Sequence, residues 1–310
     1  MMRSADLARL LALAALWGGS FLFMRVAVLP LGPIATAELR VLFAAAALLV
    51  WLRVAGIRLD GRAEWRLYLV VGTINSAAPF ALYAFSALYL PVSYLVVLNA
   101  TTPFFGALVA AAWLGERFPV RAALGLVAGV AGVAMLVRLG PVPLTPQVVS
   151  AILASLLAAL CYAVAAAYLK RRARAPAPAA VATGSQLAAT LALLPLLPAL
   201  PPVAAPTSGE WIAVVMLGVL CTGIPYLLYF RLIADVGATR ALTVTFLIPA
   251  FGMLWGAVFL GETITGTMAA GCGLVLVGTA LIFARPAPRG ARPPDAAAEP
   301  GAATGERSIR

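Results

Sequence analysis

The sequence predicts an all-α membrane protein of ten transmembrane helices, arranged as two inverted five-helix repeats, and three observations carry that prediction. First, 63% of its 310 residues are apolar and 11% are charged, with a mean hydropathy of +1.02, values outside the range of a soluble domain. Second, the uncharged runs divide into lengths of about 20 residues, enough to cross a bilayer core. Third, the chain matches itself when shifted by 146 residues without a gap. Pro79 then meets Pro225, Tyr83 meets Tyr229, and Pro103 meets Pro249. Leu114-Gly115-Glu116 falls on Leu260-Gly261-Glu262, and Gly125 and Gly132 fall on Gly271 and Gly278. Prolines and a Leu-Gly-Glu triplet in register are far more specific than matched Ala and Leu, and paired helix interruptions mark secondary transporters built from structural repeats.

The first span covers 7–29. Arg3 and Arg9 flank an apolar stretch, which leaves a cleaved signal peptide as the alternative. No A-x-A-like site follows, however, and the helix continues through Trp17 to Leu29. The second span, 33–54, carries Glu38 and Arg40, the latter about 10 Å past Pro33 at 1.5 Å per residue. The run from Arg66 to Glu116 is too long for one span and breaks at Leu90-Pro91 into 66–88 and 92–115. The fifth span, 120–138, holds Gly125-xxx-Gly129, a close-packing signal.

The second half repeats the plan with spans at 147–169, 179–200, 210–233, 239–260 and 266–284, the ninth holding Gly252-xxx-Gly256. Trp51, Trp65 and Trp211 fall at span ends as membrane-interface anchors. Residues 1–140 form the first repeat, 141–284 the second, and 285–310 a Pro-, Ala- and Arg-rich tail expected to be a disordered cytoplasmic end. Lys170 to Pro178 reads as the linker between repeats.

Orientation follows from the basic residues. With the N-terminus inside, all 22 Lys and Arg except Arg25, Arg40 and Arg138 fall on the cytoplasmic side, so both termini are expected there, in the cell (inner) membrane. Five spans per repeat is an odd number, so the second copy enters the membrane upside down relative to the first.

The net charge of +11 does not imply nucleic acid, because the basic residues separate apolar runs and form no aromatic-interleaved face. The partners expected are lipid and a small-molecule substrate, with the oligomeric state open. Cys161, Cys221 and Cys272 contain no CxxC pair, and histidine is absent, so neither a metal site nor a cofactor is expected. A membrane-embedded enzyme lacks its parts: there is no histidine and no intramembrane aspartate pair, and Gly184-Ser185 is the nearest imitation of a nucleophile motif.

The segments WGGSFLFMRVAV, ELR (Glu38 to Arg40), LNATTPFFGALVAAAWLGERF and TFLIPAFGMLWGAVFLGET resemble EamA-type members of the drug/metabolite transporter superfamily, from about Leu7 to Ala284. The resemblance implies a ten-helix carrier of small metabolites, amino acids or toxic compounds, commonly moved outward, with no enzymatic activity. The chain departs from the family at Cys161-Tyr162, where a tryptophan often sits.

Each proline inside a helix removes one hydrogen bond and frees the carbonyl four residues earlier. Pro79, Pro103, Pro225 and Pro249 are thus expected to kink their helices and free the carbonyls of Asn75, Asn99, Cys221 and Thr245, which must face protein or a watery cavity. Asn75, Asn99 and Thr245 add polar side chains, making them candidate substrate contacts; helix–helix packing is the competing reading. Trp17 and Phe21, one turn apart, and Tyr83, Tyr229 and Trp255 are candidate aromatic walls, a role that interhelical packing explains equally well.

Arg40 is a candidate for an anionic substrate group. Glu38, the only carboxylate clearly within a span, is the candidate for ion coupling, and Arg25 lies at a depth where it can meet Glu38 as a simple ion pair instead. Glu116 and Glu262 follow Leu-Gly helix ends and are expected to be structural caps of the next span. The functional expectation is a secondary transporter, an exporter of small organic metabolites by alternating access. A channel or a lipid scramblase is the alternative.

Overall fold

In the computed structural model, residues 3–59, 61–172 and 176–283 are described, apart from the side chains at 238 and 239, and all regular structure among them is helical. The expected tail, 285–310, lies outside the described residues.

The first helix, α1 (Ser4–Val54), is 51 residues long, about 76 Å at 1.5 Å per residue, more than twice a bilayer core. It breaks at Gly32, whose φ of 71° is open to glycine, between Pro30 and Pro33. The carbonyl of Pro30 accepts from the backbone of Val203 (2.8 Å) and Ala204 (3.0 Å). α2 (Gly61–Gly72) and α3 (Ala78–Ala87) join through a π-helical turn at Thr73–Ala77. α4 (Val92–Asn99) and α5 (Thr102–Leu114) make the next span, broken just before Pro103. α6 (Val120–Leu139) closes the first half.

The second half comprises α7 (Pro146–Arg171), α8 (Pro178–Leu193), α9 (Ser208–Val215), α10 (Ile224–Val236), α11 (Ala238–Ala241), α12 (Val244–Leu260) and α13 (Gly266–Phe283). A π-helical stretch at Met216–Gly223 joins α9 to α10. Among the described residues, eight stretches are long and apolar enough to cross a membrane, with Ser4–Val54 counted as one, and Val244–Leu260 is a shorter apolar helix.

The two π turns stand at equivalent places, each just ahead of a matched proline, Pro79 or Pro225. A widened turn is one way for a helix to accept a residue that lacks an N–H and crowds the carbonyl four positions back. The fourth matched proline differs from expectation. α12 runs through Pro249 without a break, and the interruption lies earlier, at Leu242 and Thr243.

α6 and α13 pack along their lengths with backbone nearly on backbone. A Cβ at Gly125 would lie 2.5 Å from the carbonyl oxygen of Gly278, and one at Gly132 would lie 2.6 Å from that of Gly271. The pairing runs from 125 to 132 on one helix and from 278 to 271 on the other, so the two are antiparallel. Elsewhere α12 meets α1 where Gly252 approaches Gly18, and α2 meets α8 where Gly72 faces Ser185. Gly115 and Gly261 end α5 and α12 in the left-handed conformation, with φ of 69° and 65°.

Candidate functional site

A cavity of about 710 Å³ lies between the halves. Its inner wall carries Trp17, Phe21, Arg40, Asn75, Tyr83, Asn99, Tyr229 and Thr245, together with Phe80, Thr222 and Tyr226. All four residues that precede a matched proline by four positions, Asn75, Asn99, Cys221 and Thr245, are on this wall. Of the prolines themselves only Pro103 reaches it; Pro79, Pro225 and Pro249 stand behind.

The polar side chains tie neighbouring helices together. Tyr83 donates to Asn99 Oδ1 (3.2 Å), Asn75 donates to Tyr226 (3.4 Å), and Thr102 returns a bond to the freed Asn99 carbonyl (2.7 Å). Thr279 of α13 donates to Ala100 O (3.2 Å), satisfying the broken turn between α4 and α5. Thr245 donates to Leu242 O (2.8 Å) at the break that precedes α12.

The rings form two groups. Trp17 meets Tyr229 with centroids 5.3 Å apart. Phe21 meets Tyr83 edge-on at 5.4 Å, and Tyr83 stacks with Tyr162 at 6.3 Å. Tyr162, at the position where the family often has tryptophan, therefore joins the aromatic wall. Arg40 is 7% exposed; its Nε donates to Thr222 Oγ1 (3.0 Å), and its guanidinium carbon lies 3.6 Å from the centre of the Phe80 ring.

Several expected contacts are absent from this wall. Trp255 lies in a separate apolar crevice of about 420 Å³ with Gly19, Leu22 and Phe23, and its indole donates to Ala15 O (3.0 Å). Glu38 is 3% exposed, does not line the cavity, and leaves Oε2 without a hydrogen-bond partner. Arg25 does not meet Glu38; it donates to the carbonyl of Ala87. Sequence reasoning also passed over Phe80, Thr222 and Tyr226, and named Tyr162 only as a departure from the family. The repeat carries a signal for Phe80 and Tyr226, since each follows a matched proline and the two are 146 residues apart.

The cavity opens at one end, where the exposed α5–α6 loop contributes Glu116, Arg117 and Phe118. The opposite end of the α4–α5 span is tied down. Glu262 accepts from the backbone N–H groups of Val92 (2.6 Å) and Ser93 (3.0 Å), so it caps α4 rather than its own following helix. Glu116, the equivalent residue of the first half, instead pairs with Lys170 at 2.5 Å.

A family model described as the EamA-like transporter family matches the chain twice, over residues 7–138 and 149–284. An uncharacterized transporter of Bacillus subtilis (strain 168), YvbV, is 26% identical over 287 residues, covering 87% of this chain and 88% of that protein. A crystal structure described only as that of a protein superposes with a TM-score of 0.65 at 23% identity, over 90% of this chain and 96% of that one, a likeness of fold alone.

Proposed function

This chain belongs to the EamA-like transporter family, and from that premise we propose that it is a secondary carrier that moves small organic metabolites outward across the cell membrane by alternating access. The family assignment makes it a multi-pass membrane transporter working on small molecules in lipid. The observation that carries the finer reading is the one-sided cavity: polar and aromatic groups from both halves line a space that reaches the surface beside Glu116, while Glu262 ties down the start of α4 at the opposite end of the α4–α5 span. A carrier needs one such end closed at a time, whereas a pore needs neither.

Ten spans result if Ser4–Val54 counts as two across the Gly32 break and Val244–Leu260 counts as one. The antiparallel glycine pairing of α6 and α13 supports repeats of opposite orientation, and the basic-residue distribution supports cytoplasmic termini. The open mouth carries Arg117 and Arg121 and thus belongs to the cytoplasmic side on this reading.

The test is counterflow in proteoliposomes, with candidate solutes chosen by comparing the metabolites retained by cells with and without the protein. Saturable exchange of labelled for unlabelled solute is expected. Non-saturable flux, or lipid exchange between leaflets, would replace the carrier with a channel or a scramblase.

A further inference from the structure

The two halves build the same cross-repeat contact twice, and only one copy is charged. Arg40 and Gln186 are 146 residues apart, as are Ser76 and Thr222, and Phe80 and Tyr226. Arg40 donates from Nε to Thr222 Oγ1 (3.0 Å), and Gln186 donates from Nε2 to Ser76 Oγ (2.9 Å). Arg40 lies over Phe80, and Gln186 reaches the hydroxyl of Tyr226 (3.5 Å). A two-fold frame thus holds a cation at one point and a neutral amide at its equivalent.

The cation is unbalanced. Among the described residues no carboxylate stands within 4 Å of Arg40. Its hydrogen-bond partner is already engaged, since Thr222 donates to Leu217 O (2.8 Å). Phe80 covers one face of the guanidinium, Nε is held by Thr222, and Arg40 lines the cavity. The other charged groups on the wall are Arg117, Arg121 and Glu116, and Glu116 is bound to Lys170. Away from that ion pair at the mouth, a ligand ammonium would meet uncharged acceptors, and one of these, Asn99 Oδ1, already accepts from Tyr83.

A buried charge without a counter-charge is costly, and a planar guanidinium is matched by a carboxylate that takes two parallel hydrogen bonds. Taking the cavity as the carrier's binding site, we infer that the substrate is an organic monoanion: a carboxylate with no neighbouring ammonium, bound at Arg40, with an apolar or aromatic body against Phe21, Tyr83 and Tyr162. The neutral Gln186 offers no second anion position, so the charge sits at one end of the bound molecule and sets its orientation.

Isothermal titration of the purified full chain in detergent, with four ligands that share a phenylethyl body, tests this: 3-phenylpropanoate, 3-phenylpropanamide, phenylalanine and phenethylamine. The wild type is expected to bind the propanoate at least about tenfold more tightly than the amide or phenylalanine, and phenethylamine most weakly. Arg40→Gln is expected to bring acid and amide to equal affinity, and Arg40→Lys to keep part of the preference. Equal or tighter binding of the zwitterion or the amine, no binding of any of the four, or an acid preference that survives in Arg40→Gln would overturn the inference. If Arg40→Gln does not fold, the wild-type ranking alone still decides. Acid-selective binding without counterflow would reject the carrier reading and leave the anion site standing.

Discussion

Replacing Glu262 by glutamine tests the proposed closure of the end opposite the cavity mouth. The carboxylate accepts from Val92 N–H at 2.6 Å and Ser93 N–H at 3.0 Å, two of the α4 donors that have no partner within their own helix. Pro91, at the cap position of α4, supplies no side-chain acceptor. A hydrogen bond to a charged group contributes about 1.5–3 kcal/mol, and a negative charge at a helix start adds about 0.3–1 kcal/mol. Glutamine has the same length but keeps one neutral acceptor and turns its NH₂ group toward a donor. The expected loss is about 2 kcal/mol, roughly 30-fold in the ratio of shut to open at this end. In a variant lacking Cys161, Cys221 and Cys272, a cysteine at Ala107 on the cavity wall reports access to an impermeant maleimide. With Glu262 present, labelling is expected from the side of the α5–α6 loop; with Glu262→Gln, the rate from the opposite side rises by about that factor. No change in sidedness would refute the reasoning.

Three further outcomes follow from the same geometry. Gly125→Ala places a methyl 2.5 Å from the Gly278 carbonyl and is expected to cost about 1–3 kcal/mol in detergent unfolding, whereas Gly273→Ala, with open space around it, is neutral or gains up to about 1 kcal/mol; equal effects would discount the glycine seam. Asn99→Ala and Thr245→Val are expected to reduce transport at unchanged membrane abundance, and normal transport by both would move the binding site elsewhere. Glu38→Gln, which alters a buried carboxylate with an unpaired oxygen, is expected to abolish proton-driven uptake and spare downhill exchange; unaltered proton dependence would reject a coupling role.

The helical plan and much of the cavity wall were legible because both rest on backbone chemistry. A proline releases a carbonyl four residues back, that carbonyl must face protein or water, and Asn75, Asn99, Cys221 and Thr245 all lie on the wall. What was not legible depends on which helix faces meet. Gly252 draws α12 against Gly18 of α1, which leaves the Trp255 indole over Gly19 and Ala15, outside the cavity. The break at Gly32 likewise sets how the two parts of α1 face one another, and sequence depth alone suggested an Arg25–Glu38 contact that does not form. The pairs Arg40 and Gln186, Ser76 and Thr222, and Phe80 and Tyr226 escaped notice because an identity match passes over positions whose side chains have diverged. Their equivalence lies in the contacts they make.

The α6–α13 seam has a symmetry that says something about origin. Gly125 faces Gly278 and Gly132 faces Gly271, while the 146-residue shift carries 125 to 271 and 132 to 278. Each half thus meets in its neighbour the image of its own other glycine. That reciprocity defines an isologous interface, in which one patch binds a second copy of itself about a two-fold axis. Such a patch is complete in one half of the chain before any partner has evolved separately. The seam now buried within one polypeptide has the form of a homodimer interface, with its two subunits written end to end in one gene.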